Sequence, residues 1–251
     1  MKRFLFSAAI LCAVLGFTSC GDSKNGGDLT VDAKVANGKL VSSQIDEVRA
    51  MGYIYSEYSS NDIIIATAPF KNGGFKIKLP KKIDERLLES MYEDFEDELP
   101  EGIIVSNKNV KATYVEEFLA FKNNKEVGYF EYYYESPQIE GGVMYVFVDG
   151  DCKISGSFSE KEEWDGTIYK EEYICDLNLK KGWNAVYGSY TSTRVGNIYT
   201  YKEEATTKKP NIDYTWYFYE WHNYWYEDNY DSPKQDVKKR PKAVSKLFRK
   251  K

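Results

Sequence analysis

Three features of the sequence predict an all-β fold. Aromatic residues make up 16% of the 251-residue chain, and 22 of them are tyrosine; Tyr, Phe and Trp, with Val and Ile, favour pleated, half-buried surfaces. Short apolar runs that alternate with polar residues recur along the chain. Turn-forming pairs such as Asn72-Gly73, Asp149-Gly150 and Gly196-Asn197 punctuate these runs. Eight or so short strands with turns about every ten residues predict an antiparallel β-sandwich or barrel-like meander. One short helix and two β modules, 30–105 and 106–228, complete the expected architecture.

The first twenty residues predict location. Lys2 and Arg3 precede an apolar run from Phe4 to Phe17, which ends in Thr18-Ser19-Cys20-Gly21. Spanning a bilayer takes about 20 apolar residues, so this run is too short for a transmembrane helix and has the form of a signal peptide, residues 1–19. Small residues flanking a cysteine resemble a bacterial lipoprotein signal. The resemblance implies acylation of Cys20, which becomes the mature N-terminus and anchors the protein to the bacterial cell envelope, at the outer membrane on its periplasmic face or cell surface. Two or three acyl chains, at ~0.8 kcal/mol per buried methylene, hold a protein firmly on a bilayer. Residues 20–29 follow as a tether, because GDSKNGGD contains no apolar residue to offset chain ordering.

In the first module, Val31 to Val48 has room for one or two strands, Met51 to Tyr58 alternates weakly, and Ile63 to Ala66 is a β-branched run. Asn72-Gly73 then turns the chain into Phe75-Lys76-Ile77-Lys78-Leu79, whose apolar residues share one face and whose lysines share the other. The Ile63-Ile64-Ile65 strand and the NGGFKIKLP arm resemble the transthyretin-like or carboxypeptidase-regulatory-like β-sandwiches of extracellular bacterial proteins. That resemblance implies a support or spacer role. Asp84 to Phe95 reads as the helix: Asp84 as cap, Glu85 at the positive end of the dipole, and Leu87, Leu88, Met91 and Phe95 at helical spacing. The acidic run Glu93–Glu101 lacks the ligand pattern of a calcium loop.

The second module reads as a meander. Strands are expected at Tyr114–Phe121, Val127–Tyr134, Met144–Val148 and Cys152–Phe158, the last two joined by a hairpin at Asp149-Gly150. Further strands are expected at Ile168–Leu179, Trp183–Tyr190, Ile198–Tyr201 and Tyr214–Trp221. The phrase LNLKKGWNAVY, Leu177 to Tyr187, resembles a feature of uncharacterised lipoproteins from Bacteroides-type bacteria. It implies a secreted, lipid-anchored β protein and carries no activity. Cys152 and Cys175 lie on expected neighbouring strands. A disulfide between them would close a loop of about 22 residues, worth on the order of 3 kcal/mol; two buried thiols are the other reading.

Charge and chemistry narrow the function. The net charge of −5 conceals a basic tail: in residues 229–251, expected to be disordered, the stretch from Lys234 carries nine Lys or Arg against Asp236 alone, a net of +8. The tail could pair with the acidic body or meet an anionic surface in a salt-dependent way. Nucleic acid is a poor partner for an exported protein. His222 is the sole histidine, which limits Ser-His-Asp hydrolysis to one position, and aromatic packing is sufficient to explain it. No phosphate loop, cofactor motif or metal-ligand spacing stands out. The segment Trp216 to Tyr226 is the candidate binding element. As a strand it sends Trp216, Phe218 and Glu220 one way and Tyr217, Tyr219 and Trp221 the other. Trp216, Tyr217, Tyr219, Trp221 and Trp225 are the candidate ligand-binding residues, and cross-strand packing is the competing role for these rings. The expectation is a non-enzymatic, membrane-anchored lipoprotein with an interaction or structural role. Carbohydrate binding through exposed Trp and Tyr is the alternative, and an envelope hydrolase, which would need a carboxylate pair, the third.

Overall fold

A computed structural model describes residues 29–56, 59–91, 100–136 and 139–221. The fold is all-β. Its strands are β1 (Leu29–Lys34), β2 (Glu47–Ser56), β3 (Ser59–Lys71), β4 (Gly74–Leu79), β5 (Glu89–Ser90), β6 (Ile103–Val105) and β7 (Lys111–Tyr114). They continue as β8 (Glu117–Lys122), β9 (Lys125–Glu135), β10 (Glu140–Val148), β11 (Cys152–Trp164) and β12 (Thr167–Leu179). The last three are β13 (Gly182–Val195), β14 (Ile198–Thr206) and β15 (Thr215–Glu220). One hydrogen-bonded path runs β1-β4-β3-β2-β8-β9-β10-β13-β14-β12-β11-β6, with β15 added to β9 and β7 to β10 and β5. Pairing is antiparallel except between β12 and β14.

Two-residue turns form where the sequence provides left-handed backbone. Asn72 and Gly73 have φ of 54° and 78°, and Asn123 and Asn124 have 49° and 59°, as a type I′ hairpin requires. After the first of these turns β4 buries Phe75, Ile77 and Leu79 and exposes Lys76 and Lys78. The expected hairpin at Asp149-Gly150 is absent, because β13, β14 and β12 lie between β10 and β11 in the path. Asp149 instead ties the chain to β7. Its carboxylate accepts the Lys111 N–H at 2.8 Å, and its own N–H donates to the Lys111 carbonyl at 3.0 Å. The Asp-Gly hairpin occurs at Asp165-Gly166, with φ of 50° and 69°, and joins β11 to β12 along their whole length.

Two ladders cross the expected division near residue 105. β2 pairs with β8, and β6 pairs with β11. Among the described residues the two larger hydrophobic cores are separated by the β10–β13 pair. Tyr145, Phe147, Trp183 and Tyr187 face a first core that also holds Val31, Phe75, Ile77, Phe118, Phe130 and Trp216. Val146, Val148 and Val186 face a second core with Cys152, Ile154, Cys175, Leu177 and Leu179. Buried on both faces, these two strands hold the halves together. The tryptophan of the LNLKKGWNAVY phrase belongs to the first core: Trp183 is 1% exposed, and its Nε1–H donates to the Pro80 carbonyl at 2.8 Å. Asn184 closes the preceding turn by accepting the Lys180 N–H at 2.9 Å and donating to the Lys180 and Gly182 carbonyls.

The helix expected over Asp84–Phe95 is also corrected. Asp84 does cap a turn, accepting the Arg86 N–H at 3.0 Å, but that turn is a 3-10 helix limited to Glu85–Leu87. Leu88 is already extended, and Glu89 and Ser90 pair with β7. Strand pairing satisfies the backbone here, and tertiary context overrides helix propensity. Residues 92–95 lie outside the described residues. The short α-helix is found instead at Gly38–Val41.

Candidate functional site

β15 is the strand that sequence reasoning singles out, and it is fixed on both edges. On one side it pairs with β9, from Thr215 opposite Tyr133 to Glu220 opposite Gly128. Gly128 makes this approach fit: a Cβ there would stand 2.1 Å from the Tyr219 carbonyl oxygen and 2.7 Å from the Phe218 ring. Gly128→Ala is therefore expected to cost about 1–3 kcal/mol by overpacking, read as a lower urea midpoint, with β15 displaced from β9. On the other edge, Ala36 N–H donates to the Trp216 carbonyl at 2.8 Å, beside a single parallel bridge between Val35 and Trp216. The Asn37 side chain completes the seam. Its Nδ2 donates to the Phe218 carbonyl at 3.1 Å, and its Oδ1 accepts the Phe218 N–H at 3.3 Å. The amide thus stands in for a strand partner. Neither Gly128 nor Asn37 carries a local sequence signal for this role.

The alternation along β15 holds. Trp216 and Phe218 are buried, Tyr217 and Tyr219 are half-buried, and Trp221 is 43% exposed. Trp216 is thereby removed from the candidate binding residues. It is 3% exposed and packs against Phe75, Phe118 and Tyr132 at centroid distances of 5.2, 5.3 and 4.9 Å. Trp225 and His222 lie outside the described residues, as do Cys20, the tether up to residue 28 and the basic tail.

The outward rings join those of β9 in one strip. Tyr217 lies 5.1 Å from Tyr133, Tyr133 6.4 Å from Tyr219, Tyr219 5.3 Å from Tyr129, and Tyr129 4.8 Å from Trp221, all between centroids. The Tyr219 hydroxyl donates to the Tyr133 hydroxyl at 2.8 Å, and burial with this bond pushes the Tyr219 phenol far above its ordinary range. At the far end the Trp221 indole N–H donates to the Glu126 carboxylate. Burial raises the pKa of that carboxyl; the indole bond opposes the rise, and Glu117 and Asp62 add to it. A carboxyl with a raised folded pKa gains relative stability as pH falls through that value and loses it above. Behind Tyr129 the same outer face carries a small buried cluster of Met51, Leu119 and Phe121, with the Arg49 guanidinium 3.8 Å from the Phe121 ring centroid.

At the Tyr217 end the strip borders an open concavity of about 650 Å³, lined by Tyr133, Tyr134, Glu135, Ser136, Asp213, Thr215 and Tyr217. The Tyr129–Tyr134 strand was legible as an aromatic run. Asp213, Thr215 and Glu135 were not, because they become neighbours only through the β9–β15 pairing.

The disulfide reading is corrected: Cys152 and Cys175 are free and buried. They do sit on paired strands, but Cys152 is opposite Leu179 and Cys175 opposite Gly156. That four-residue offset corresponds to roughly 13 Å along the ladder, beyond the reach of a disulfide. Burial pushes the Cys175 thiol up to about 11. Because both thiols are buried away from the reagent, both are expected to resist Ellman's reagent at pH 8 in the folded protein and to react together in denaturant. A non-reducing mass showing these two residues joined would contradict the register. Among the described residues no group of three or more His, Cys, Asp or Glu side chains is placed to hold a metal ion. No helix among them is long and apolar enough to cross a membrane.

No family model matches this chain, and no curated protein or solved structure matches it significantly.

Proposed function

We propose that this chain is a non-enzymatic lipoprotein, held on a bacterial envelope membrane through Cys20, that works by contact with a partner protein. The observation that carries this reading is the outward strip Tyr217–Tyr133–Tyr219–Tyr129–Trp221. Tyr and Trp are the residues most enriched in interface hot spots, and here they are pre-ordered by cross-strand packing, which lowers the entropy cost of binding. Tyr129 and Tyr219 stack at an interplanar angle of 22°. Ring faces spent on each other leave edges outward, a texture that suits a protein surface better than the flat face of a sugar along this stretch. Glu126, Glu131 and Glu117 border the strip and give the partner's contact region a basic complement. The tether from Gly21 to Asp28 can extend roughly 25–30 Å, enough to present the sheet clear of the lipid headgroups.

Photo-crosslinking tests this. A benzophenone amino acid at Glu131, which pairs with Tyr217 within the strip, is expected to trap one envelope protein in living cells. The same probe in a Tyr219→Ala/Trp221→Ala chain is expected to trap none. An adduct of equal yield in the double variant, or no adduct in either, contradicts the reading.

A further inference from the structure

We propose that the concavity at the Tyr217 end of the strip is a binding site for neutral oligosaccharide. Its volume of about 650 Å³ falls within the range of small-ligand sites, ~300–1,000 Å³. It is also separate from the stacked middle of the strip. The Tyr133 and Tyr217 rings meet there at 43°, with centroids 5.1 Å apart, so they form an angled apolar wall instead of a face-to-face pair. Such a wall fits the C–H face of a pyranose ring.

Polar groups with unspent hydrogen-bonding capacity surround that wall. The hydroxyls of Thr215 and Tyr217 and the carboxylate of Asp213 have no hydrogen-bond partner among the described residues. The Tyr133 oxygen accepts from Tyr219, which leaves its own O–H to donate elsewhere. The hydroxyls of Tyr133, Thr215 and Tyr217 and the carboxylate of Asp213, all on residues lining the concavity, match the alternating donors and acceptors of sugar hydroxyls. The carboxylates of Asp213 and Glu135 disfavour uronates and other anionic sugars, hence a neutral ligand. An ammonium ligand could use the carboxylates and the rings but would leave the three hydroxyls without partners. The frame is rigid: Thr215 pairs with Tyr133 and Tyr217 with Glu131 in the ladder, so little ordering accompanies binding.

The test is a glycan array probed with the detergent-solubilised full-length protein. The array carries neutral gluco-, manno- and galacto-oligosaccharides beside uronate- and sialate-terminated ones. Spermine is titrated separately by calorimetry. Binding confined to neutral glycans is expected. Tyr217→Ala should weaken it about tenfold, the loss of one stacking face, and Asp213→Asn several-fold. Trp221→Ala, at the opposite end of the strip, should leave it unchanged, which distinguishes sugar binding at the concavity from contact through the rest of the strip. Circular dichroism confirms that the half-buried Tyr217 variant stays folded. No neutral glycan bound, binding only to spermine or to anionic glycans, or wild-type affinity in a folded Tyr217→Ala protein would each overturn the assignment.

Discussion

Trp216→Ala is expected to lower the stability of the folded chain by about 3–5 kcal/mol, the range for removing a fully buried aromatic ring. The size of the effect follows from position. The indole is 3% exposed and contacts Phe75 on β4, Phe118 on β8 and Tyr132 on β9. Its backbone also carries an isolated parallel bridge to Val35, just past the end of β1. Alanine leaves a cavity where four strands meet, beside the seam held by Asn37. Trp221→Ala, five residues along the same segment, is expected to cost less than about 1 kcal/mol, because its ring is 43% exposed. Urea unfolding followed by circular dichroism distinguishes the two. Equal losses in both variants would mean that the inward and outward rows of β15 are misassigned.

Cys20→Ala is expected to have the largest effect on location. If acylation at this thiol is the anchor, the variant keeps its fold and moves from the detergent phase to the aqueous phase in Triton X-114 partitioning. A clickable fatty acid that labels the wild type should fail to label the variant. The size of the change follows from the free energy of burying several acyl chains, at ~0.8 kcal/mol per methylene. Unaltered partitioning of the variant would remove the envelope anchor from the account.

The strand pattern of this protein was legible because a period of two is local information. The alternation of β4 and β15 can be read from five or six residues, and both strands obey it. Which face of β15 is the core was not legible, since both rows are aromatic. That choice depends on Gly128 and Asn37, 90 or more residues away in the chain from the β15 residues they touch, Phe218 and Tyr219. The two Asp-Gly pairs show the same limit. Both have hairpin chemistry, but only Asp165-Gly166 has strands directly on either side that pair with each other. Asp149-Gly150 is drawn onto β7 by Lys111. The missed helix has a related cause. Leu87, Leu88 and Met91 satisfy a helical period, and β7 is what converts Glu89–Ser90 into a strand. The two cysteines sit on neighbouring strands, as the sequence predicts, but their register keeps them apart, and no spacing in the sequence reveals register.

The site follows the same division. Tyr217, Tyr219 and Trp221 are visible in one segment, whereas the concavity combines the end of β9 with the residues entering β15. Residues from separate segments converge only after the ladder forms, so single-strand reasoning finds the rings and misses the polar groups beside them.

Native electrophoresis of detergent-solubilised envelopes tests the central claim most directly. The outward strip as a contact surface predicts that the acylated wild-type chain migrates in a larger complex. The Tyr219→Ala/Trp221→Ala chain, still acylated and with a urea midpoint close to wild type, should run alone. A double variant that remains in the same complex would contradict the account.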